Sequence, residues 1–475
     1  MFRRLAVVVV VLGMVCTTLL AACAVPVPQV IKEVPVTVEV TVPVPVEAPA
    51  EKVKLNVWSS PDNADALLEL AQQFMEANPN ITIEVTPTSW EVLYPQILAD
   101  INAGTGAFDL ATWDLMTAGS IAPGFVDLTK YGEAYPELID PEFDKDDFIP
   151  QAWHVYGMWG DKNIGYPFYG AAMFFFYRKD LFEDPALQAQ FKDKYGADLK
   201  VPVTWDEAIP IAEFFTRKFN PDSPTEYGIG LMFPRTHSSF YEFLNWFGPL
   251  RRTPEAVAQM GEVDLDYGDY FTADGKPAFD SPQGVKAIEQ IRTLMQYSSD
   301  PLGSDYGETL ESFGRRLVAM VPQWSAVLGS WAESPELQPL EEKVGIAVVP
   351  GGAPVSGGWG LGINASSQHK HEAFRFVQFA TSKQADKLQW LKYRLGPTRV
   401  STTQDPEVLA DSPWIEDVYL TSSDQSSQRP RIPQQPKLED VTVGWITDML
   451  AGQKGDDDAA SLAGLAEEWN KILGE

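Results

Sequence analysis

The sequence predicts an α/β fold in which helices cover a parallel sheet, and three observations carry that expectation. Short strand-like runs alternate with helix-length segments from residue 54 onward. The apolar positions of the first long segment, Leu67, Leu68, Ala71, Phe74 and Met75, recur with the 3.6-residue period of a helix. Gly and Pro fall between the runs, as at Asn78-Pro79 and Gly104, where they end helices. With 475 residues the chain can bury two or three substantial cores.

The chain opens with an export signal. Met1-Phe2-Arg3-Arg4 is followed by an uncharged run over residues 5–22 that ends in Leu20-Ala21-Ala22-Cys23. That ending resembles the bacterial lipobox, which implies a signal peptide over residues 1–22, lipidation of Cys23 and a mature protein held on the outer side of the cell membrane. A retained apolar anchor is the alternative reading of the same run. Residues 24–50, AVPVPQVIKEVPVTVEVTVPVPVEAPA, are rich in Val and Pro and lack Gly. Extended polyproline backbone makes such a segment a semi-rigid tether, assigned to residues 23–52, reaching roughly 80 Å at about 3.1 Å per residue.

Residues 54–58 form the first strand, 59–63 a turn, 64–78 a helix and 81–86 the second strand. A helix over about residues 90–103 leads to a third strand at 108–113. Strand texture returns at 164–178 and 344–349. Helix starts are read near Thr204 and over 372–380 and 459–473, and no internal repeat is present.

The formal charge is −30 at pH 7. It is spread along the chain, which describes a solvated exterior and argues against nucleic acid or anionic lipid headgroups as partners. Cys16 lies in the signal, so Cys23 alone remains in the mature chain, excluding a disulfide framework and a cysteine metal site. Aromatics are 12% of residues, a large stock for which either cores or a ligand surface must account.

Seven segments in order resemble the extracellular solute-binding proteins of family 1, the sugar-type receptors of ABC importers that include the maltodextrin-binding proteins. They are LNVWSSPDNADALLELAQQFMEANPNITIEV, YPQILADINAGTGAFDLATWD, GYPFYGAAMFFFYRKDLFED, VPVTWDEA, SFGRRLVAMVPQW, GGWGLGINASSQHKHEAFRFVQFATS and RIPQQPKLEDV. The resemblance implies a two-lobed, periplasmic-binding-protein-like clamp with an interlobe ligand cleft, closed by a hinge. It divides the chain into a first lobe over 53–170 and 359–412 and a second over 171–358 and 413–475. Crossings are expected near residues 169–174 and 357–363. The implied partners are a sugar ligand and the permease subunits of an ABC transporter.

Sugar rings offer apolar C–H faces and a rim of hydroxyls, so aromatic plates and carboxylates at the facing strand ends are the candidates. The position of Asp62 resembles the family's ligand-contacting Asp, with Ser60 beside it; either could instead cap the adjoining helix. Trp113 and Asp114 end the third strand, and Asp114 could equally cap the next helix. Trp90, Tyr169 and Trp246 are candidates with a core role as the alternative. Trp324 and Trp359 are the preferred plates, the latter set among glycines that permit close backbone approach. Two departures, Ala171 where the maltodextrin type has a Glu and residues 436–439 where it has an aromatic, argue against a long linear maltodextrin. None of these candidates is Lys or Arg, which favours a neutral ligand.

Catalysis has little support. His154, His237, His369 and His371 show no zinc motif, the Gly pairs at 351–352 and 357–358 lack the spacing of a phosphate loop, and no cofactor or metal is implied. Asp456-Asp457-Asp458 reads as a helix cap. The expectation is a non-enzymatic receptor for a mono- or small oligosaccharide. The alternatives are a receptor for a peptide, polyamine or glycerophosphodiester, and a secreted carbohydrate-active enzyme.

Overall fold

The computed structural model describes residues 52–474. The signal, Cys23 and all but the last residue of the tether lie outside the described residues. Ten strands occur among them: β1 (Val53–Ser59), β2 (Ile81–Pro87), β3 (Leu110–Asp114), β4 (Met158–Trp159), β5 (Lys162–Asn163), β6 (Tyr166–Arg178), β7 (Tyr227–Ile229), β8 (Val318–Trp324), β9 (Val344–Ala347) and β10 (Ser356–Ile363). Eight of them form one sheet in the order β2-β1-β3-β10-β6-β8-β7, with β9 also on β6, while β4 and β5 make a small hairpin.

The expected alternation is present in the first lobe, with β1 parallel to both β2 and β3. The sheet as a whole is mixed rather than parallel. β10 runs antiparallel to β3 and to β6 because it is the chain's return from the other lobe and enters the sheet from the opposite end. The expected turn at 59–63 is also shorter. Ser60 is the N-cap and the helix already begins in Pro61–Ala77, since Pro is well placed in a first turn where its missing N–H loses nothing. Leu68, counted on the apolar face, is 45% exposed.

Two buried clusters define the lobes. The first gathers β1, β2, β3, β10 and the start of β6 under the helices Pro61–Ala77 and Lys370–Ala380, with Leu55, Leu67, Phe74, Leu110, Leu361 and Phe376 inside. The second gathers the rest of β6 and β8 under Trp205–Phe214, His237–Arg251, Pro282–Met295, Gln435–Leu450 and Asp458–Leu473. The helix start read near Thr204 is real: Thr204 accepts from the Glu207 amide at 3.2 Å and Glu207 accepts from the Val203 amide at 2.9 Å. Asp457 caps the last helix through the Ala460 amide at 2.9 Å.

β6 joins the lobes. Its residues from Tyr166 to Ala172 pair with β10, and those from Met173 onward pair with β8 and β9. At the change of partner Gly170 lies opposite Gly358 of β10 and forms an isolated bridge to Gly396, so three adjacent chain segments each place a glycine at one level. The close packing requires it. A Cβ on Gly358, whose φ is 112°, would meet the Tyr156 ring and the Tyr169 carbonyl at 2.7 Å, and one on Gly396 would overlap the Gly170 carbonyl.

Candidate functional site

The carboxyl ends of β1 and β3 and the changeover of β6 point at the second lobe, and most sequence candidates gather there. β10 pairs Trp359 with Asp114 on one side and with Tyr169 on the other. Directly paired residues share a face, so a carboxylate, an indole and a phenol stand abreast on three neighbouring strands. The start of the helix Pro61–Ala77 lies beside this row. The Ser60 amide donates to Thr112 Oγ1 at 3.4 Å, and the Thr112 hydroxyl donates to Asn63 Oδ1 at 3.3 Å.

Ser60 is buried and its hydroxyl accepts from the Asp62 amide at 3.4 Å, so the capping role left open by the sequence is realised. Asp62 is exposed on the first helical turn. Burial first, and then the charge of Asp62, holds the Tyr169 phenol well above its ordinary pKa; the same two causes push Tyr306 up to about 12. Asp62, Tyr169 and Tyr306 therefore share one locality, although Tyr306 belongs to the second lobe, where it opens a helix whose capping box is Asp305 with Glu308.

Asp114 accepts from the Met116 amide at 3.0 Å, capping a short 3₁₀ turn, and its Oδ1 lies 3.5 Å from Arg429 Nη2. The capping role left open by the sequence is realised, and the same carboxylate faces a cation from the second lobe. Trp359 is 5% exposed and Tyr169 8%. Trp324 ends β8 half-buried, edge-on to Tyr241 with ring centres 5.3 Å apart at 69°. Its ring covers Gly357, where an added Cβ would meet it at 2.7 Å. Trp90 stacks on His237 across the cleft, 6.1 Å apart at 21°, so the two walls meet at its mouth.

Two candidates belong elsewhere. Trp246 is 0% exposed and stacked on Trp205 at 4.0 Å and 14° inside the second core, because Phe243, Leu244 and Phe247 draw its whole helix inward. Trp113 is buried in the first core, its ring filling the space left by Gly360 and Gly165. It points to the opposite face from Asp114, as alternation along a strand demands.

The sequence missed Tyr306, His237, Tyr241, Arg429 and Glu439. None of the residues named at the strand ends is basic, but a buried arginine adjoins one of them. Arg429 arrives from a segment some 300 residues further on and lies against Asp114. Glu439, on the helix Gln435–Leu450, accepts from Gln435 Nε2. Burial raises its carboxyl to about 7, opposed by the Gln435 hydrogen bond and the Arg429 charge and reinforced by Asp114 and Asp440.

Two α/β lobes that share β6, with residues of both gathered where its pairing changes over, are the architecture of a ligand clamp. Residues 58–387 match the model of the bacterial extracellular solute-binding protein family. The chain belongs to that family. It is a solute-binding protein of an ABC transporter, of the extracellular or periplasmic kind. Among its relatives, the "Probable amino-acid ABC transporter periplasmic-binding protein" of Sinorhizobium fredii is 24% identical over 417 residues, 86% of this chain and 87% of its own. The mannitol-binding protein of Pseudomonas aeruginosa is 26% identical over 67% of this chain and 66% of its own. Among solved structures, an Agrobacterium radiobacter solute-binding protein in complex with ribitol aligns with a TM-score of 0.69 and 26% identity, over 90% of this chain and all of that one. Maltose-bound T. maritima MalE3 aligns at 0.70 and 21% over 89% of this chain and 100% of its own, a likeness of fold.

Proposed function

We propose that the cleft captures a single sugar, a small oligosaccharide or a sugar alcohol and presents it to the permease. The observation that carries this reading is the row Asp114, Trp359 and Tyr169, a hydrogen-bonding acid beside two flat apolar surfaces, faced by Trp324 and Tyr306 of the other lobe. A polyhydroxy ligand needs that mixture of plate and rim partner. The mannitol, ribitol and maltose named for similar proteins belong to the same chemical class. No role here requires a reacting group, and the protein acts by binding.

A second reading, a free amino acid, is favoured by the Sinorhizobium relative's name and by the Asp114 and Arg429 charges side by side. A thermal-shift screen over sugars, sugar alcohols and amino acids, followed by calorimetric titration, decides between them. Stabilisation by sugars or sugar alcohols is expected; stabilisation by amino acids alone would replace this reading with the second. Binding should draw the lobes together about the Gly170, Gly358 and Gly396 level, so small-angle scattering should show compaction at saturation, since a ligand preferring the closed form shifts the population to it.

The lipobox-like Leu20-Ala21-Ala22-Cys23 supports an anchor on Cys23. Labelled fatty acid should incorporate into the wild type in a bacterial host and be absent from Cys23→Ala. Equal labelling of both would rule the anchor out.

A further inference from the structure

Five arginines are buried among the described residues, and Arg429 differs from the other four. Arg178 holds Asp180, Arg251 donates to the Met260 and Phe271 carbonyls, and Arg399 donates to the Thr381 and Asp144 carbonyls. Arg431, two residues from Arg429, donates to Asp266 and to the Met158 carbonyl. Unpartnered nitrogens also occur on Arg251, Arg399 and Arg431, but each of those donates elsewhere; Arg429, only 4% exposed, donates no hydrogen bond among the described residues, its Nε is unpartnered and its ion pair with Asp114 stands at 3.5 Å. A guanidinium has five donors, and leaving them unused while buried is unfavourable. Those donors sit beside the row that faces the ligand. Glu439 adds a carboxyl within reach of Arg429's charge, steadied by Gln435, which also touches Met116 Sδ at 3.2 Å.

We propose that Arg429 and Glu439 are the specificity-determining pair of this cleft, reading two neighbouring hydroxyls on one sugar or sugar-alcohol unit. The guanidinium donates to both hydroxyl oxygens and the Glu439 carboxyl accepts a proton of one. This rests on the polyhydroxy reading of the cleft. Asp62 and Asp114 lie in the same locality, so a ligand carboxylate drawn to Arg429 would meet two acids, whereas a neutral diol meets donors and acceptors without that repulsion. A site built on hydroxyl hydrogen bonds also rejects ligands that lack them, because its buried polar groups are then left unpaired.

The test is calorimetric titration of the wild type, Arg429→Met, Arg429→Lys and Glu439→Gln with D-mannitol, ribitol, maltose and glutamine, beside thermal unfolding without ligand. For the best polyhydroxy probe, Arg429→Met should lose about 10- to 100-fold in affinity, with Arg429→Lys intermediate. Deoxy analogues of that probe should bind the wild type more weakly than the parent, and Arg429→Met should no longer distinguish them. Affinity of Arg429→Met within about threefold of wild type overturns the proposal. So does full recovery of affinity in Asp114→Asn/Arg429→Met, which would make Arg429 only a counter-charge. If the wild type binds glutamine and none of the polyhydroxy probes, the cleft reading and this pair fall together; if it binds a polyhydroxy probe that Arg429→Met binds equally well, the pair alone falls.

Discussion

The interior of the second lobe and the wall it turns to the cleft draw on the same aromatic residues and use them in opposite ways. Inside, rings satisfy one another: Trp246 lies flat on Trp205, and Trp469 packs on Phe279 at 5.0 Å while its Nε1 donates to Thr442 at 2.9 Å. On the wall, Trp324 touches Tyr241 only edge-on and rests on the bare backbone of Gly357. An aromatic-rich composition therefore does not locate a binding surface. A ring that ends a strand above a crossing glycine is the feature on which the proposed plate rests.

Truncation is the strongest way to break that contrast. Trp246→Ala should lower stability by about 3–5 kcal/mol through the cavity it leaves, while the folded fraction keeps its affinity; chemical denaturation and titration together read both. Trp324→Ala should do the reverse, weakening ligand binding by about 1–3 kcal/mol with a small change in melting temperature. Unchanged affinity in that variant would move the plate to Trp359. Trp359→Ala is expected to lower both quantities, because its ring belongs to the first core and to the row.

The buried carboxyls sharpen the same comparison. Glu242, wholly inside the second lobe, is held well above the ordinary range by burial, with Asn245 opposing; Glu439 at the cleft is raised to about 7 from 4.5. A carboxyl raised in the folded state contributes stability that is complete below its unfolded value and is lost as pH rises through the folded one. For Glu439 that window runs from about 4.5 to about 7. Unfolding measured across it should flatten in Glu439→Gln and in Glu242→Gln, whereas ligand affinity should lose its pH dependence only in Glu439→Gln. Smallest of all, Leu68→Gln on the exposed helix face should shift stability by no more than about 0.5 kcal/mol.

The first lobe was legible in the sequence because its β1, Pro61–Ala77, β2 and β3 succession is local and each element is stopped by nearby residues such as Asn78 and Gly104. The direction of β10 was not, since it depends on where a chain returning some 240 residues later enters the sheet. The site divides the same way. Asp62, Asp114, Tyr169, Trp324 and Trp359 were nominated from strand ends, crossings and the family resemblance. Arg429 carried no local sign, because the Asp114 that makes it informative lies more than 300 residues earlier, and Tyr306 opens an ordinary capped helix. Trp246 had the surroundings of a core residue, and its neighbours Phe243 and Phe247 proved the better guide.

β6 is a single strand shared by the two cores. Its backbone is continuous from Tyr166 to Arg178, with the first core's ladder along one half and the second core's along the other. A lobe that frays releases hydrogen-bond partners from the strand on which its neighbour depends. Fragments cut to contain a single lobe would inherit half a strand with an open edge, prone to pair with other chains. Amide exchange should accordingly protect Phe168 and Phe176 to similar depth, as members of one cooperative unit rather than of two domains that open independently.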